Sequence, residues 1–191
     1  LLPGFLQESK DISATDRGNA YHKVMELMDF EQFFVGGELV ADAEDRLQEF
    51  LDRKVESKVL SPLYAKSVNL QKLMNFLQNP LAKRMWEAQC KGELYREQPF
   101  VLGISASKLG EQFPAEEKVL IQGIIDAFFV EEGQIVLLDY KTDKVQTGKE
   151  LWDRYATQLE YYEEALSSLM QMPVKEKILY SFSLEECVGE G

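Results

Sequence analysis

The sequence predicts a mixed α/β fold, a central mixed sheet flanked by helices, with extra helices at the N-terminal end. Three observations carry that expectation. Apolar residues recur at helical spacing through most of the first 90 residues. Three runs rich in Val, Ile, Phe and Tyr follow between residues 93 and 140. An amphipathic run over 149–170 then leads to a last strand-like segment over 175–183. A chain of 191 residues is long enough for one well-filled core and short for two. Residues 1–191 therefore read as a single domain. Its opening, Leu1-Leu2-Pro3-Gly4-Phe5, reads as the cut edge of a longer protein.

Residues 15–29 predict a helix, with Ala20, Val24, Leu27 and Met28 recurring and Thr15 or Asp16 as its cap. Residues 39–56 predict a second, strongly charged helix with a stripe of Leu39, Ala43, Leu47, Phe50 and Leu51. Ser61-Pro62 breaks the chain. Asn69 is placed to cap a helix ending near Gln78, and Asn79-Pro80 to start another reaching about Gln89. Strands are expected over 93–104, 118–131 and 134–140, with a polar loop over 105–117. The helix over 149–170 carries Leu151, Tyr155, Leu159, Tyr162 and Leu166 on one side, and Pro173 stops it before the final strand.

The net charge is -12, which argues against a nucleic-acid partner held by the chain's own electrostatics. The distribution is uneven. Residues 1–60 carry 7 basic and 13 acidic side chains, and 111–191 carry 7 and 17, whereas 61–110 carry 7 and 3. That local excess includes Lys66, Lys72, Lys83, Arg84, Lys91 and Arg96, with Tyr64, Trp86 and Tyr95 between them. It fits either a solvated helix face or a surface turned toward nucleic acid. No apolar run approaches the ~18 residues of a membrane span, so no membrane partner is expected. Two cysteines, Cys90 and Cys187, are too few for a four-cysteine zinc or iron–sulfur framework, and they make a reducing cytoplasm the expected compartment. The phosphate-binding loop, the serine-hydrolase elbow, the zinc-protease helix and the dinucleotide turn are all missing from the sequence.

The chemistry concentrates in Asp126 and in Asp139-Tyr140-Lys141. A two-residue turn at Glu132-Gly133 pairs 131 with 134. Continued along the hairpin, that register sets Asp126 opposite Asp139, on the same face and ~4.5–5.5 Å apart. Lys141, two residues on, shares the face. Two carboxylates side by side in an otherwise apolar sheet repel. Either one is protonated, or a cation such as Mg²⁺ lies between them, or Lys141 neutralises them as a structural ion pair. His22, the only histidine, lies one turn after Gly18. A glycine inside a helix costs about 1 kcal/mol and signals close approach by another group. Glu97 is either a further acidic ligand or a solvated edge residue. Gln158, between Tyr155 and Tyr162 on one helix face, needs hydrogen-bond partners that the polar patch of the sheet could supply.

Arg17-Gly-x-x-x-His22, Gly123-Ile-Ile-Asp126, Asp139-Tyr-Lys141-Thr-Asp143 and Gln158-x-x-x-Tyr162 occur in that order. The set resembles the RecB-like branch of the PD-(D/E)XK nuclease superfamily, and within it the A-type subunits of bacterial helicase–nucleases. The resemblance implies a restriction-endonuclease-like core of helix, three strands, helix and strand. It implies that His22, Asp126, Asp139 and the Tyr140 carbonyl hold Mg²⁺, in a site that Mn²⁺ or Ca²⁺ could also occupy. Lys141 would orient the attacking water and stabilise charge at phosphorus, Gln158 and Tyr162 would support the site, and Glu97 matches a recurrent acidic position. It further implies single-stranded DNA as substrate, delivered by helicase domains of the same parent chain, in a heterodimer with a B-type subunit. B-type subunits carry an iron–sulfur staple, and the two cysteines here leave no such cluster in this chain. An inactive DNA-end-binding module and a subunit-docking module are the alternatives.

Overall fold

The structure, a computed structural model, describes residues 13–109 and 116–189. The Leu1–Phe5 opening and residues 110–115 of the expected polar loop lie outside the described residues.

Helix α1 (Ala14–Leu27) is capped by Ser13, whose hydroxyl accepts from the Asp16 N–H at 3.0 Å. The cap therefore lies ahead of the expected Thr15 or Asp16. The largest departure follows. Gly36 and Gly37 both have positive φ, 60° and 87°, and turn a two-residue hairpin between β1 (Phe34–Val35) and β2 (Glu38–Leu39). A turn of this hand needs two left-handed residues, and a Gly-Gly pair supplies both without steric cost. Leu39 is thus a strand residue, and α2 runs only over Ala43–Glu56. Where a break was expected at Ser61-Pro62, a short helix α3 (Pro62–Ser67) forms, with Pro62 in its first turn and the Ser61 hydroxyl capping the Tyr64 N–H. Helices α4 (Leu70–Gln78) and α5 (Pro80–Cys90) start where Asn69 and Asn79 indicate, each asparagine accepting a backbone N–H.

The second half builds a five-stranded sheet in the order β3-β4-β5-β6-β7. Its strands are β3 (Leu94–Ser105), β4 (Lys118–Glu131), β5 (Gln134–Lys141), β6 (Val174–Ser181) and β7 (Glu186–Gly189). Only β5 and β6 are parallel. Their connection is α6 (Gly148–Met170), begun by the Thr147 cap and ended by Gln171 at φ 53°. The expected last strand over 175–183 stops at Ser181 because the chain reverses through Glu185, at φ 60°, into β7. Five mixed strands flanked by helices are the α/β class expected from the sequence.

Strand β5 is buried on both faces and sorts its side chains by alternation. Val136, Leu138 and Tyr140 join the core formed with α1 to α5, whereas Ile135 and Leu137 join Leu151, Leu159 and Leu166 of α6. By the same alternation Asp139 and Lys141 face α6. Phe76 of α4 keys the first layer onto the sheet. It is fully buried, edge-on to Tyr180 at 4.7 Å and to Tyr140 at 6.0 Å between ring centroids. Phe76→Ala is expected to cost about 3–5 kcal/mol of stability, read from urea unfolding. A loss below about 1 kcal/mol would show that the helical layer repacks without it.

Candidate active site

The hairpin between β4 and β5 turns at Glu132-Gly133, with φ of 55° and 74°. Its register runs from Glu131–Gln134 to Ala127–Leu138, and one further step brings Asp126 to Asp139. Both are buried, 8% and 3% exposed. On the other side, β3 pairs Arg96 with Ala127 and Gln98 with Ile125. Glu97 between them stands opposite Asp126, at φ 49°, a left-handed backbone uncommon outside glycine. Three carboxylates from three adjacent strands thus share one row across the sheet.

Asp126 is held from two sides. His22 Nδ1 lies 2.9 Å from its Oδ1, and the Tyr140 backbone N–H donates to its Oδ2 at 2.8 Å. Burial pushes the Asp126 pKa up, but the hydrogen bonds and the charge of His22 outweigh it and hold the group below the usual carboxylate range. His22 answers in kind: burial opposes its charged form, and Asp126 more than compensates, so its pKa is raised. Asp139 goes the other way. Burial and the neighbouring Asp126 carboxylate raise its pKa well above the ordinary range, with Lys141 opposing. Glu97 is raised by burial and by the charges of Asp126 and Glu26.

Lys141, 12% exposed at its side chain, places Nζ 2.6 Å from Asp139 Oδ2. The ammonium is the counter-charge of this buried oxygen. Nζ also donates to Gln158 Oε1 at 3.0 Å, which supplies the partner that Gln158 needed. Below Nζ lies the Tyr155 ring, 3.8 Å to its centroid. The Tyr155 hydroxyl donates to Asp143, which also receives Arg154, both at 2.9 Å. From the sequence Tyr155 was expected on the apolar stripe of its helix, beside Gln158. Its place three residues before Gln158, on the same helix face, was the available signal for a role at the lysine. Tyr162 is buried, edge-on to Phe100 at 5.3 Å, and its phenol pKa is raised by burial and by both aspartates.

Gly18 explains how α1 comes close. A Cβ there would sit 3.2 Å from Thr142 Oγ1, so the missing side chain lets the helix pack against the end of β5, one turn from His22. His22, Glu97, Asp126, Asp139, Tyr140, Lys141, Gln158 and Tyr162 thus gather around the β4–β5 rim and the facing helices. His22, Asp126, Asp139 and the Tyr140 carbonyl are the groups available to hold a cation. Paired carboxylate oxygens are hard donors of the kind that bind divalent cations. Among the described residues no three His, Cys, Asp or Glu side chains already close into a ligand cluster.

Part of the basic excess over 61–110 is committed within the fold, whereas Lys66, Lys83 and Lys91 are exposed. Arg84 makes a two-pronged pair with Glu131, both contacts at 3.0 Å, and reaches Glu176 at 2.6 Å. Arg96 donates to the Met28 carbonyl and to Gln89 and covers the Phe30 ring. Trp86 stacks on Phe34, and Tyr95 on Phe128. These side chains join elements to one another. No helix among the described residues is long and apolar enough to cross a membrane.

The chain is 37% identical over 218 aligned positions to an ATP-dependent helicase/nuclease subunit of A type from Lachnoclostridium phytofermentans, covering 96% of this chain and 15% of that protein. It is 39% identical over 190 positions to the like-named protein of Clostridium botulinum strain Alaska E43, covering 97% and 15%. The Clostridium beijerinckii protein of that name is 36% identical, again over 97% and 15%. The chain therefore spans about 15% of the length of the curated relatives it matches. The sequence profile of the PD-(D/E)XK nuclease superfamily matches residues 3–186, and it is to this superfamily that the chain belongs.

Proposed function

We propose that the chain is the nuclease domain of a longer helicase–nuclease and hydrolyses phosphodiester bonds of single-stranded DNA with a divalent cation, Mg²⁺ in the cell. The observation that carries this reading is the buried pair Asp126–Asp139 with Lys141 Nζ 2.6 Å from the second carboxylate. Like charges placed side by side are destabilising for the fold alone, and a cation-dependent reaction gives them a use.

His22, Asp126, Asp139 and the Tyr140 carbonyl would hold the ion. When bound, it would lower the pKa of a water and offset charge on the phosphate. The protein's own groups do the rest. His22 and the Tyr140 N–H fix the Asp126 carboxylate in one orientation. Lys141 presents a positive charge where negative charge grows at phosphorus, and Gln158 and the Tyr155 ring keep its Nζ from swinging away. Tyr162, packed edge-on against Phe100, would support the site from α6. The net charge of -12 fits a domain that receives its strand from a motor. We place it with the helicase domains of its parent chain, in the cytoplasm, beside a B-type partner, in the processing of DNA breaks.

The deciding assay compares wild type with Asp139→Ala on single-stranded DNA, with and without Mg²⁺. Cleavage confined to wild type with Mg²⁺ is expected. Binding without cleavage under every divalent ion would leave a DNA-end-binding or docking module instead.

A further inference from the structure

Two cavities adjoin the site on the side of α1. One, of about 670 Å³, is lined by Arg17, Gly18, Thr142, Asp143 and Lys144. The other, of about 210 Å³, is lined by Arg17, Tyr21, Lys72, Thr142, Lys144 and Ser183 among others. They share Arg17, Thr142 and Lys144, so they are adjoining parts of one depressed face. Its wall at Gly18 and Thr142 is one residue from Lys141 along the chain and one helical turn from His22.

The charges in this depression differ from those of the chain as a whole. Arg17 and Lys144 are exposed, and their side chains make no hydrogen bond or ion pair among the described residues. Lys72 is partly committed, donating to the Phe182 carbonyl at 2.6 Å and lying 3.7 Å from Glu185. The acidic groups nearby are occupied: Asp143 by Arg154 and Tyr155, and Asp16 by the Ser13 hydroxyl at 2.7 Å. Two uncommitted cations thus face a cavity in an otherwise acidic chain. They come from α1 and from the segment after β5, and neither belongs to the basic stretch over 61–110.

We infer that this depression is the track of the nucleic-acid strand next to the cleaved bond, with Arg17 and Lys144 binding internal backbone phosphates. The inference rests on the nuclease reading for its choice of ligand. Two exposed cations beside one open depression suit a polyanion laid along it. Thr142 and Ser183 add hydroxyls of the kind that contact phosphate and sugar.

The test measures binding of a fluorescent oligothymidylate to the 191-residue chain in EDTA, over a series of KCl concentrations. Arg17→Gln with Lys144→Gln should weaken binding roughly tenfold near physiological salt and make the plot of log K against log salt shallower by about 1.4, two contacts at about 0.7 each. Lys83→Gln with Lys91→Gln removes the same charge elsewhere and should leave the slope unchanged. Equal slopes for the two double variants would overturn the track. So would a requirement for a terminal phosphate on the oligonucleotide, which would make the depression an end pocket. Because no cleavage is needed, the slope is read independently of the nuclease reading. A wild type that never cuts DNA but shows the slope change would sink the nuclease reading and keep the track. Cutting without a slope change would do the reverse.

Discussion

Lys141→Ala should lower the cleavage rate by a factor of order 10² to 10³, the size that follows loss of one preorganised electrostatic stabiliser. Binding of the divalent ion should survive, because an ammonium is not a ligand. The competing role for Lys141 is that of a counter-charge for Asp139, and the two roles separate on one preparation. If Lys141 only neutralises the aspartates, the variant should unfold at lower temperature while its folded fraction cuts at the wild-type rate. If Lys141 acts on the substrate, the folded fraction should be nearly inactive. Gln158→Ala supplies the intermediate case. It removes the hydrogen bond at 3.0 Å but leaves the Tyr155 ring beneath Nζ, so a smaller loss than for Lys141→Ala is expected, without loss of metal response.

The second large effect concerns the carboxylate pair in metal-free solution. Because Asp139 titrates well above an ordinary aspartate in the folded protein, the folded state binds its proton more tightly than the unfolded chain does. Its contribution to stability is therefore fully present below the unfolded value of about 3.9 and is lost as pH rises through the folded value. Without metal, thermal stability should fall as pH climbs from about 4 toward neutrality. Asp139→Asn should flatten that part of the profile and raise the melting temperature at neutral pH. The His22 contribution, also from a raised pKa, should remain in the variant and be lost at the upper end of the range. Asp126, held low, acts in the opposite sense and loses its contribution as the solution becomes acid. Divalent ions should reverse the neutral-pH loss in wild type, by about 2.7 kcal/mol at roughly a hundredfold excess over Kd, and do nothing for Asp139→Asn. A wild-type melting temperature indifferent to millimolar Mg²⁺, Mn²⁺ and Ca²⁺ would contradict the cation site.

The sequence by itself determined what local chemistry governs. Asn69 and Asn79 start α4 and α5 because their side chains satisfy backbone N–H groups within the same turn. Glu132-Gly133 fixes a two-residue turn, and the turn fixes the register that sets Asp126 against Asp139, since side-chain alternation leaves no freedom once one pair is known. Glycine at position 18 announced a close neighbour without naming it. The Gly36-Gly37 hairpin was equally local and was overridden by a helical spacing of Leu39 with Ala43 that the chain does not use. Tertiary structure alone decided which groups face one another across long stretches of chain. It brought Thr142 to Gly18, His22 to Asp126 over 104 residues, and the Tyr155 ring beneath Lys141. It also turned Arg84 and Arg96 inward as fasteners and set Arg17 beside Lys144 at the rim of one depression. Charge counts along a sequence cannot foresee this. A cation's availability depends on the carboxylates and carbonyls that packing delivers to it, and those come from elements whose order in space is set by burial of the apolar layers between them.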